Sequence, residues 1–439
     1  MIYLSAVLFA LLAIAGLAST PATLVLVFSM FTLTVGLQGS FALFRSNPII
    51  VNVVVAALTG FGAITSPIRQ REPMLGYATT TWMCLVTILF WSMISLIWTP
   101  ALPIAPNQGS NIIVNALPYF LLYMFLLPLL IDRFESWQAT VSLLLVCGIV
   151  IALSITTSPE FTFKSGRIGI TLEGGVRTSP LSIAQFGGML AIFGALSAGG
   201  RASSLQSAMR ITAFIAGTLL TVYSGTRGQA FFALVVIALF LPVSRRLKNL
   251  RSYFSTVLVG AFLGAIILFA FSYVREQSDT DRWKTSAVED ATGVRIANAL
   301  DLLGAFAVSP KAWFIGLGFN AFSAVTGLIE QGYSHNLYVD VLCEEGIPCF
   351  ALLIVAYRSM WKSWLNLFVR YADRPLERSA ISILLAMVVY QSLLATKEAN
   401  LWSAWLLFSF MCIIARLEAR TVDDVVEPQQ THDAAEAVR

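Results

Sequence analysis

Residues 138–155 read QATVSLLLVCGIVIALSI, a run without a charged side chain. About 20 consecutive apolar residues in an α-helix span the hydrocarbon core of a bilayer, so this run predicts a transmembrane helix. Two similar runs, 208–223 and 228–243, are short for a full crossing, and we expect their ends to lie below the membrane surface. In total the sequence predicts thirteen spans, at about residues 2–17, 20–37, 49–66, 78–98, 111–131, 138–155, 180–197, 208–223, 228–243, 253–272, 349–363, 379–394 and 400–416.

The composition of the chain indicates the same class of protein. Hydrophobic residues make up 57% of the 439 residues, charged residues make up 12%, and the mean hydropathy is +0.78. A soluble domain carries about 25% charged residues. We therefore predict an all-α, polytopic integral membrane protein with about 12–13 transmembrane helices and one long helical loop on the outer face.

The positions of lysine and arginine predict the orientation, because cytoplasmic loops carry an excess of both. Three loops are especially basic, namely 69–71, 245–251 and 358–378. Alternation of the spans puts these loops on the cytoplasmic face and the N-terminus outside. The net charge of +4 follows from this bias, so no nucleic-acid partner is expected.

The resulting organisation has six segments. They are N-terminal transmembrane helices at 1–155, a basic outer loop at 156–179, transmembrane helices at 180–272, a long outer loop with surface helices at 273–348, C-terminal transmembrane helices at 349–416 and a disordered cytoplasmic tail at 417–439.

The centres of the predicted spans contain essentially no ionisable residue. Ion-coupled transporters and proton relays usually place such residues in mid-membrane, because these groups carry the coupling. The charge distribution therefore favours a protein that acts on a membrane-bound substrate at the outer surface.

One of only two histidines, His335, lies in the long outer loop, within GYSHNLY at 332–338. The other, His432, lies in the charged C-terminal tail. The segment from Asn336 to Glu345 predicts a short helix with Asn336 as its N-cap. A helix N-terminus disfavours the imidazolium, so a neutral His335 could act as a general base. Its alternative role is to cap the helix or bind a carbonyl.

A second outer helix is predicted at 292–307. Its apolar stripe consists of Ile296, Ala299, Leu300 and Leu303, with Arg295 off the stripe. This pattern is typical of an amphipathic helix at the membrane surface. On one interpretation Arg295 points toward the space beneath His335 and binds an anion, and on the other it forms an exposed ion pair with Glu289 or Asp290.

Further basic residues occur on the predicted outer face. Arg227 lies in SGTRG at 224–228, a tight turn whose small residues leave the guanidinium open to two phosphate oxygens. The alternative is that Arg227 snorkels to the interface. The loop 156–179 adds Lys164, Arg167 and Arg177 among several glycines, which fits either a phosphate-binding loop or a solvated one.

These features together resemble the O-antigen ligase/polymerase family. The resemblance, which covers residues 160–355, rests on the SGTRG turn, the basic loop after it, the arginine-bearing outer helix, GLGFN at 316–320, and His335-Asn-Leu-Tyr-x-Asp-x3-Glu-x-Gly346. The earlier spans match only in hydropathy. RIG at 167–169 also resembles the family's outer loop, but RTSP at 177–180 departs from the element that usually follows.

The resemblance implies glycosyl transfer at the periplasmic face of a bacterial inner membrane. An undecaprenyl-diphosphate-linked oligo- or polysaccharide is the donor, and a sugar hydroxyl of an acceptor glycan attacks it. His335 would be the general base, and Arg227 and Arg295 would bind the diphosphate. A further set of residues would contact the donor, namely Lys164, Arg167 and Arg177.

The resemblance leaves the acceptor open. A polymerase of O-antigen or exopolysaccharide, which we favour, extends a lipid-linked repeat unit, whereas a ligase transfers to lipid A-core. Expected partners also include the bilayer and a chain-length regulator protein. No metal and no other cofactor is expected, because the diphosphate donor is already activated. A flippase for lipid-linked oligosaccharides is the alternative from another class, although the charge-free span centres argue against it.

Overall fold

The computed structural model describes residues 3–47, 49–70, 78–105, 107–131, 134–157, 162–164, 167–169, 180–197, 204–245, 254, 258, 285–328 and 333–436. Only the backbone is described at 40, 66–70, 162–169, 285–292 and 422–436. The described chain is helical except for one two-stranded sheet.

The helices are, in chain order, α1 (Leu4–Gly16), α2 (Thr20–Ser40), α3 (Ala42–Ser46), α4 (Ile49–Gln70), α5 (Thr80–Ser95), α6 (Gln108–Phe120), α7 (Leu127–Leu130), α8 (Phe134–Thr157), α9 (Pro180–Leu196), α10 (Ser204–Tyr223), α11 (Arg227–Ser244), α12 (Thr285–Ala307), α13 (Pro310–Ile315), α14 (Ala321–Thr326), α15 (Leu337–Glu345), α16 (Ile347–Arg370), α17 (Pro375–Ala395) and α18 (Trp405–Glu436). A 3₁₀ turn, Leu401–Ser403, precedes α18.

The chain divides into two compact units. The first unit comprises Met1–Ser66, Phe134–Val288 and Tyr371–Tyr390, and the second comprises Pro67–Arg133, Glu289–Arg370 and Gln391–Arg439.

Glycines let two helices of the first unit, α9 and α10, pack closely. A Cβ atom on Gly217 would lie 2.5 Å from the carbonyl oxygen of Gly187 and 2.6 Å from the amide nitrogen of Ala191. Elsewhere in this unit, the indole N–H of Trp137 on α8 donates a 3.1 Å hydrogen bond to the carbonyl of Ala380 on α17. Close backbone approach and a few buried hydrogen bonds therefore join helices whose surfaces are otherwise apolar.

The basic loop of the first unit contains an antiparallel hairpin that the sequence analysis missed. Strands β1 (Thr162–Lys164) and β2 (Arg167–Gly169) pair with Lys164 opposite Arg167. Thr162, Phe163 and Ile168 are β-branched or aromatic residues, which favour strands. The hairpin is a local exception, and the rest of the described secondary structure is helical, as the all-α prediction states.

In the second unit, the segment between residues 108 and 130 is one long helix with a local irregularity. Pro118 lies inside α6, and a π-helical turn, Leu121–Leu126, connects α6 to α7. Proline lacks an N–H and crowds the preceding turn, and a π-turn is one way in which a helix absorbs that change.

The core of the second unit forms around α16. This helix packs against α5 and α18, and the short helix α15 packs against α5, α13 and α16. Two serines of α5 bind distant segments, since Ser95 Oγ accepts the Phe319 N–H at 2.9 Å and Ser92 Oγ accepts the Trp402 indole N–H at 3.0 Å. These contacts fix the segments that carry the candidate site.

Among the described residues, six helices are long and apolar enough to cross a membrane. They are Thr20–Gly39, Gln108–Leu130, Phe134–Thr157, Ser204–Tyr223, Arg227–Ser244 and Pro375–Ala395. The chain is thus helical and membrane-like, as the composition predicts.

Several boundaries differ from the predictions. The two spans predicted to be short lie in α10 and α11, of 20 and 18 residues, which are long enough to cross a bilayer. Helix α18 continues to Glu436, through the tail predicted to be disordered, because extending an existing helix costs far less than starting one. The predicted span 253–272 lies outside the described residues, apart from residues 254 and 258.

We predict that Gly217→Ala lowers the thermal unfolding temperature in detergent. The added methyl group would overlap the backbone of α9, and such overpacking typically costs about 1–3 kcal/mol. Gly60→Ala is the matched control, since a Cβ atom there meets nothing within 4 Å and alanine favours a helix. Equal unfolding temperatures for the two variants would contradict the close packing of α9 on α10.

Candidate functional site

His335 lies at the entrance of α15, in the second unit. Its backbone is in the left-handed region, with φ of +65°, and its side chain is half-buried. Asn336 is the N-cap, since its Oδ1 accepts the N–H groups of Tyr338 at 3.1 Å and Val339 at 3.4 Å. The predicted cap is therefore confirmed. Because Asn336 performs the capping, the imidazole of His335 is not needed for it.

Buried polar groups hold the loop before α15 in place. The N–H of Ser334 donates to Asp340 Oδ1 at 3.3 Å, and Ser334 Oγ accepts the N–H of Asn336 at 3.2 Å. Asp340 is fully buried, and burial raises the pKa of its carboxyl to about 7. Its other oxygen, Oδ2, has no hydrogen-bond partner among the described residues.

Glu344 joins the two motifs of the outer segment. Its carboxyl group accepts the backbone N–H groups of Asn320 and Phe322, at 3.1 Å each. Burial raises the pKa of Glu344 well above its ordinary value, and Asp340 raises it further. The GLGFN turn and α15 are therefore one structural element, and Glu344 is a structural residue within it.

Two glycines permit the close approach of these segments. Gly316 and Gly346 have φ values of +77° and +88°, and a Cβ atom on Gly316 would lie 1.9 Å from the carbonyl oxygen of Glu344. The N–H of Leu317 also donates to the carbonyl of Cys343 at 2.8 Å. Only glycine fits at residue 316, because any side chain would overlap the backbone there.

Helix α12 places Arg295 near His335. The positive charge of Arg295 lowers the pKa of both His335 and Tyr333. Arg295 is half-buried and forms no ion pair or hydrogen bond with the side chains that the structure describes. The side chains of Glu289 and Asp290, its alternative partners, lie outside the described residues.

The buried face of α12 differs from the predicted stripe. Ile296 and Leu300 are exposed, whereas Leu302 and Phe306 are buried in a cluster with Phe322 and other apolar residues. Leu302 and Phe306 are four residues apart, so they lie on one helix face. Arg295 precedes Leu302 by two turns and therefore lies on the face that packs against the protein.

A charged pair that the sequence analysis missed completes the surroundings of His335. Lys397 Nζ lies 2.6 Å from Glu398 Oε1, in the turn after α17. Lys397 lowers the pKa of His335, while Glu398 raises it. Alternation of the predicted spans puts this turn on the same face as His335, so the sequence did contain a signal for it.

The electrostatic balance at His335 favours the neutral imidazole. Burial lowers its pKa most, Arg295 lowers it further, and Glu398 opposes them. The ring of Tyr333 contacts the imidazole edge-on, with 4.3 Å between centroids. No described side chain forms a hydrogen bond with either ring nitrogen.

The remaining predicted residues belong to the first unit. Arg227 is the first residue of α11, directly after a turn in which Gly225 has φ of +71° and Ser224 Oγ lies 2.7 Å from Thr226 Oγ1. Lys164 and Arg167 lie opposite each other in the hairpin, and their side chains are not described. Arg177, the third basic residue predicted to contact the donor, lies outside the described residues.

No protein-family profile matches the chain, and no curated protein matches it. Within the described part of the chain, no three His, Cys, Asp or Glu side chains are grouped so that they could hold a metal ion. The site near α15 thus groups a histidine whose surroundings favour its neutral form, a half-buried arginine and an ion pair. Such a grouping can accept a proton from a hydroxyl and bind an anion beside it.

We predict that Glu344→Ala destabilises the protein strongly. The change leaves two buried N–H groups without an acceptor, each of which costs about 1–3 kcal/mol. Thermal unfolding in detergent measures the loss. Glu418→Ala is the control, because Glu418 accepts a single exposed hydrogen bond from Asn366. A similar unfolding temperature for both variants would show that Glu344 does not join the two motifs.

Proposed function

We propose that the protein is a glycosyltransferase of the bacterial inner membrane. It transfers an oligo- or polysaccharide from an undecaprenyl-diphosphate donor to an acceptor sugar hydroxyl at the periplasmic face. The observation that carries the proposal is that His335 lies in surroundings that favour the neutral imidazole, near enough to Arg295 for its positive charge to lower the pKa of the imidazole.

The reaction is a direct displacement at the anomeric carbon of the donor. The acceptor hydroxyl oxygen forms the new bond to that carbon while the bond to the diphosphate oxygen breaks, and His335 takes the hydroxyl proton. The configuration at the anomeric carbon inverts, as it does when a base activates the attacking oxygen on the opposite face. The leaving group is undecaprenyl diphosphate.

Arg295 acts on the leaving group. Negative charge grows on the bridging diphosphate oxygen as the bond breaks, and a guanidinium can bind two phosphate oxygens at once. Fixed donors of this kind usually supply the largest part of transition-state stabilisation. Arg227 lies in the first unit, and its binding of the diphosphate is a separate prediction. An Arg227→Lys variant tests it.

The acceptor determines the biological role within this class. We favour repeat-unit polymerase, in which the acceptor is a second lipid-linked repeat unit. A ligase would use lipid A-core, and the donor chemistry would be the same. Purified protein offered each acceptor separately, with the same donor, distinguishes the two roles by the product formed.

We predict that kcat/KM for transfer decreases at acidic pH, and that the midpoint of this decrease lies below pH 6.5. His335 must be neutral to accept a proton, and burial and Arg295 place its pKa below the ordinary value. Activity therefore rises as pH increases through that pKa. Lys397 lowers the pKa as well, whereas Glu398 raises it. His335→Ala should have almost no activity at any pH.

Two outcomes bear on this prediction. Asp340→Asn removes a buried carboxyl with a pKa of about 7 but keeps an acceptor for the Ser334 N–H. The decrease of kcat/KM at acidic pH, the acid limb of the profile, should therefore remain. If the limb disappears in Asp340→Asn, or if His335→Ala remains active, His335 is not the base.

We predict that Arg295→Gln reduces turnover by about 10²–10³-fold, as the loss of one transition-state donor does elsewhere. Glutamine keeps part of the packing of the side chain but cannot neutralise the diphosphate. The measurement is release of undecaprenyl diphosphate from labelled donor in nanodiscs. Lys311→Gln, at an exposed position on α13, is the control and should change turnover little. If Arg295→Gln and Lys311→Gln both reduce turnover only slightly, Arg295 has a structural role instead.

A further inference from the structure

A polar cavity lies inside the first unit, at one end of four of its helices. Its volume is about 590 Å³, which falls within the range of ~300–1,000 Å³ that is typical of small-molecule sites. Its walls are the first halves of α8, α10 and α17 and Ser197, the residue directly after α9. All of its described lining residues belong to the first unit.

Direct contacts hold the walls of this cavity together. The hydroxyl of Ser379 on α17 donates to the carbonyl of Leu196 on α9 at 2.8 Å. A Cβ atom on Gly194 of α9 would lie 2.7 Å from the carbonyl oxygen of Arg210 on α10, so these two helices meet closely beside the cavity. The cavity is therefore a built feature of the helix packing.

The lining changes from polar to apolar along the helices. Glu135 and Gln138 of α8 and Arg210 of α10 lie within the first two turns of their helices. The hydroxyl of Ser142, one turn further along α8, bonds the carbonyl of Gln138 in its own helix. The deeper lining is apolar and includes Val141, Leu145 and Ile383. A polar mouth above an apolar floor matches a molecule with a polar head group and an apolar chain.

Arg210 carries a charge that no described residue neutralises. Its guanidinium forms no ion pair or hydrogen bond with the part of the chain that the structure describes, and its Nε is buried. On the neighbouring helix, Nε2 of Gln138 is also buried without a partner among the described residues. Charged side chains in membrane-spanning helices are costly, and they usually mark a binding site or a transport path. The two side chains therefore offer donors for an anion.

The cavity lies at the end of the helices that borders two basic loops. Arg378 Nε, in the first turn of α17, donates to the carbonyl of Val243 at the end of α11, at 2.8 Å. These helix ends adjoin the loops 245–251 and 358–378, which the sequence predicts to be cytoplasmic. Phospholipid head groups lie at the ends of membrane-spanning helices, so the polar mouth is at the depth of a head group.

We propose that this cavity binds one phospholipid, with Arg210 and Gln138 on its phosphate and Glu135 on a primary ammonium group of its head. The guanidinium can bind two phosphate oxygens at once. The carboxylate of Glu135 repels a purely anionic head group and accepts hydrogen bonds from an ammonium. The site lies in the first unit and does not depend on the proposed glycosyl transfer.

The charges of the lining define the class of lipid. One cation and one anion among the described lining residues match a zwitterionic head group. A trimethylammonium group has no N–H to donate to Glu135, and a glycerol head group has no positive charge. The ligand is therefore a phospholipid of the phosphatidylethanolamine type.

The experiment measures lipid binding by native mass spectrometry of the purified, delipidated protein, without an activity assay. Dioleoyl-phosphatidylethanolamine should occupy one saturable site, dioleoyl-phosphatidylglycerol should bind it more weakly, and inorganic phosphate should not displace the lipid. Arg210→Gln should raise the Kd for phosphatidylethanolamine by roughly 10-fold or more, the usual effect of losing hydrogen bonds to a charged group. Glu135→Gln should bring the Kd values of the two lipids together.

Matched controls come from the same end of α17. Arg374→Gln and Glu377→Gln remove the charges of an ion pair that does not line the cavity, and both should leave the Kd unchanged. If Arg210→Gln does not fold, Ala139→Phe is the second variant. Ala139 is an exposed lining residue, so phenylalanine there fills the cavity without changing its charge and should abolish binding.

Four results would overturn the lipid site. They are the absence of a saturable site for phosphatidylethanolamine, a wild-type Kd in a folded Arg210→Gln or Ala139→Phe variant, equal affinity of the wild type for phosphatidylglycerol, and displacement of the lipid by inorganic phosphate. The last result would assign the cavity to a free anion. A protein that binds the lipid and transfers no sugar would contradict the proposed function alone, so the two failures are distinguishable.

Discussion

The bidentate contact of the Glu344 carboxyl with the N–H groups of Asn320 and Phe322 is the interaction on which the candidate site depends. Most of the chain is apolar, so a polar loop cannot be held by a broad network of surface contacts. One buried carboxyl instead binds the start of α14, and the carbonyls at the end of α15 bind the turn before it. The cost of burying Glu344 is offset because both of its oxygens have partners. The position of α15, and with it that of His335, follows from this contact.

Burial has opposite effects on the acids and the base of this region. It raises the pKa of Asp340 and of Glu345 to about 7 and lowers the pKa of His335, because in each case the charged form loses its hydration. In each case burial shifts the titration toward the neutral form. Asp340 still accepts the hydrogen bond from the Ser334 N–H. A neutral His335 can accept a proton. The same low polarity that costs stability at the carboxyls favours the neutral histidine that the proposed reaction requires.

Much of this arrangement could be predicted from the sequence, because its strongest signals are local. Apolar runs predict the helices, and the Asn336 cap follows from residue type and position alone. The face of α12 could not be predicted in the same way, because Ile296 and Leu302 are equally apolar and only tertiary packing decides which is buried. Lys397 and Glu398 were missed for a related reason. They are far from His335 in sequence. Their proximity to His335 depends on the packing of α15, α16 and α18 around α5.

In the proposed reaction, the position of Arg295 couples donor binding to the basicity of His335. Without substrate, its positive charge helps to keep the imidazole neutral. A diphosphate bound to Arg295 cancels that charge, so the pKa of His335 rises once the donor is in place. By linkage, a proton on His335 then favours the bound diphosphate by the same free energy. The base is therefore weakest when the site is empty and strongest when the leaving group is present. That order suits a reaction in which proton transfer from the acceptor and charge development on the diphosphate occur together.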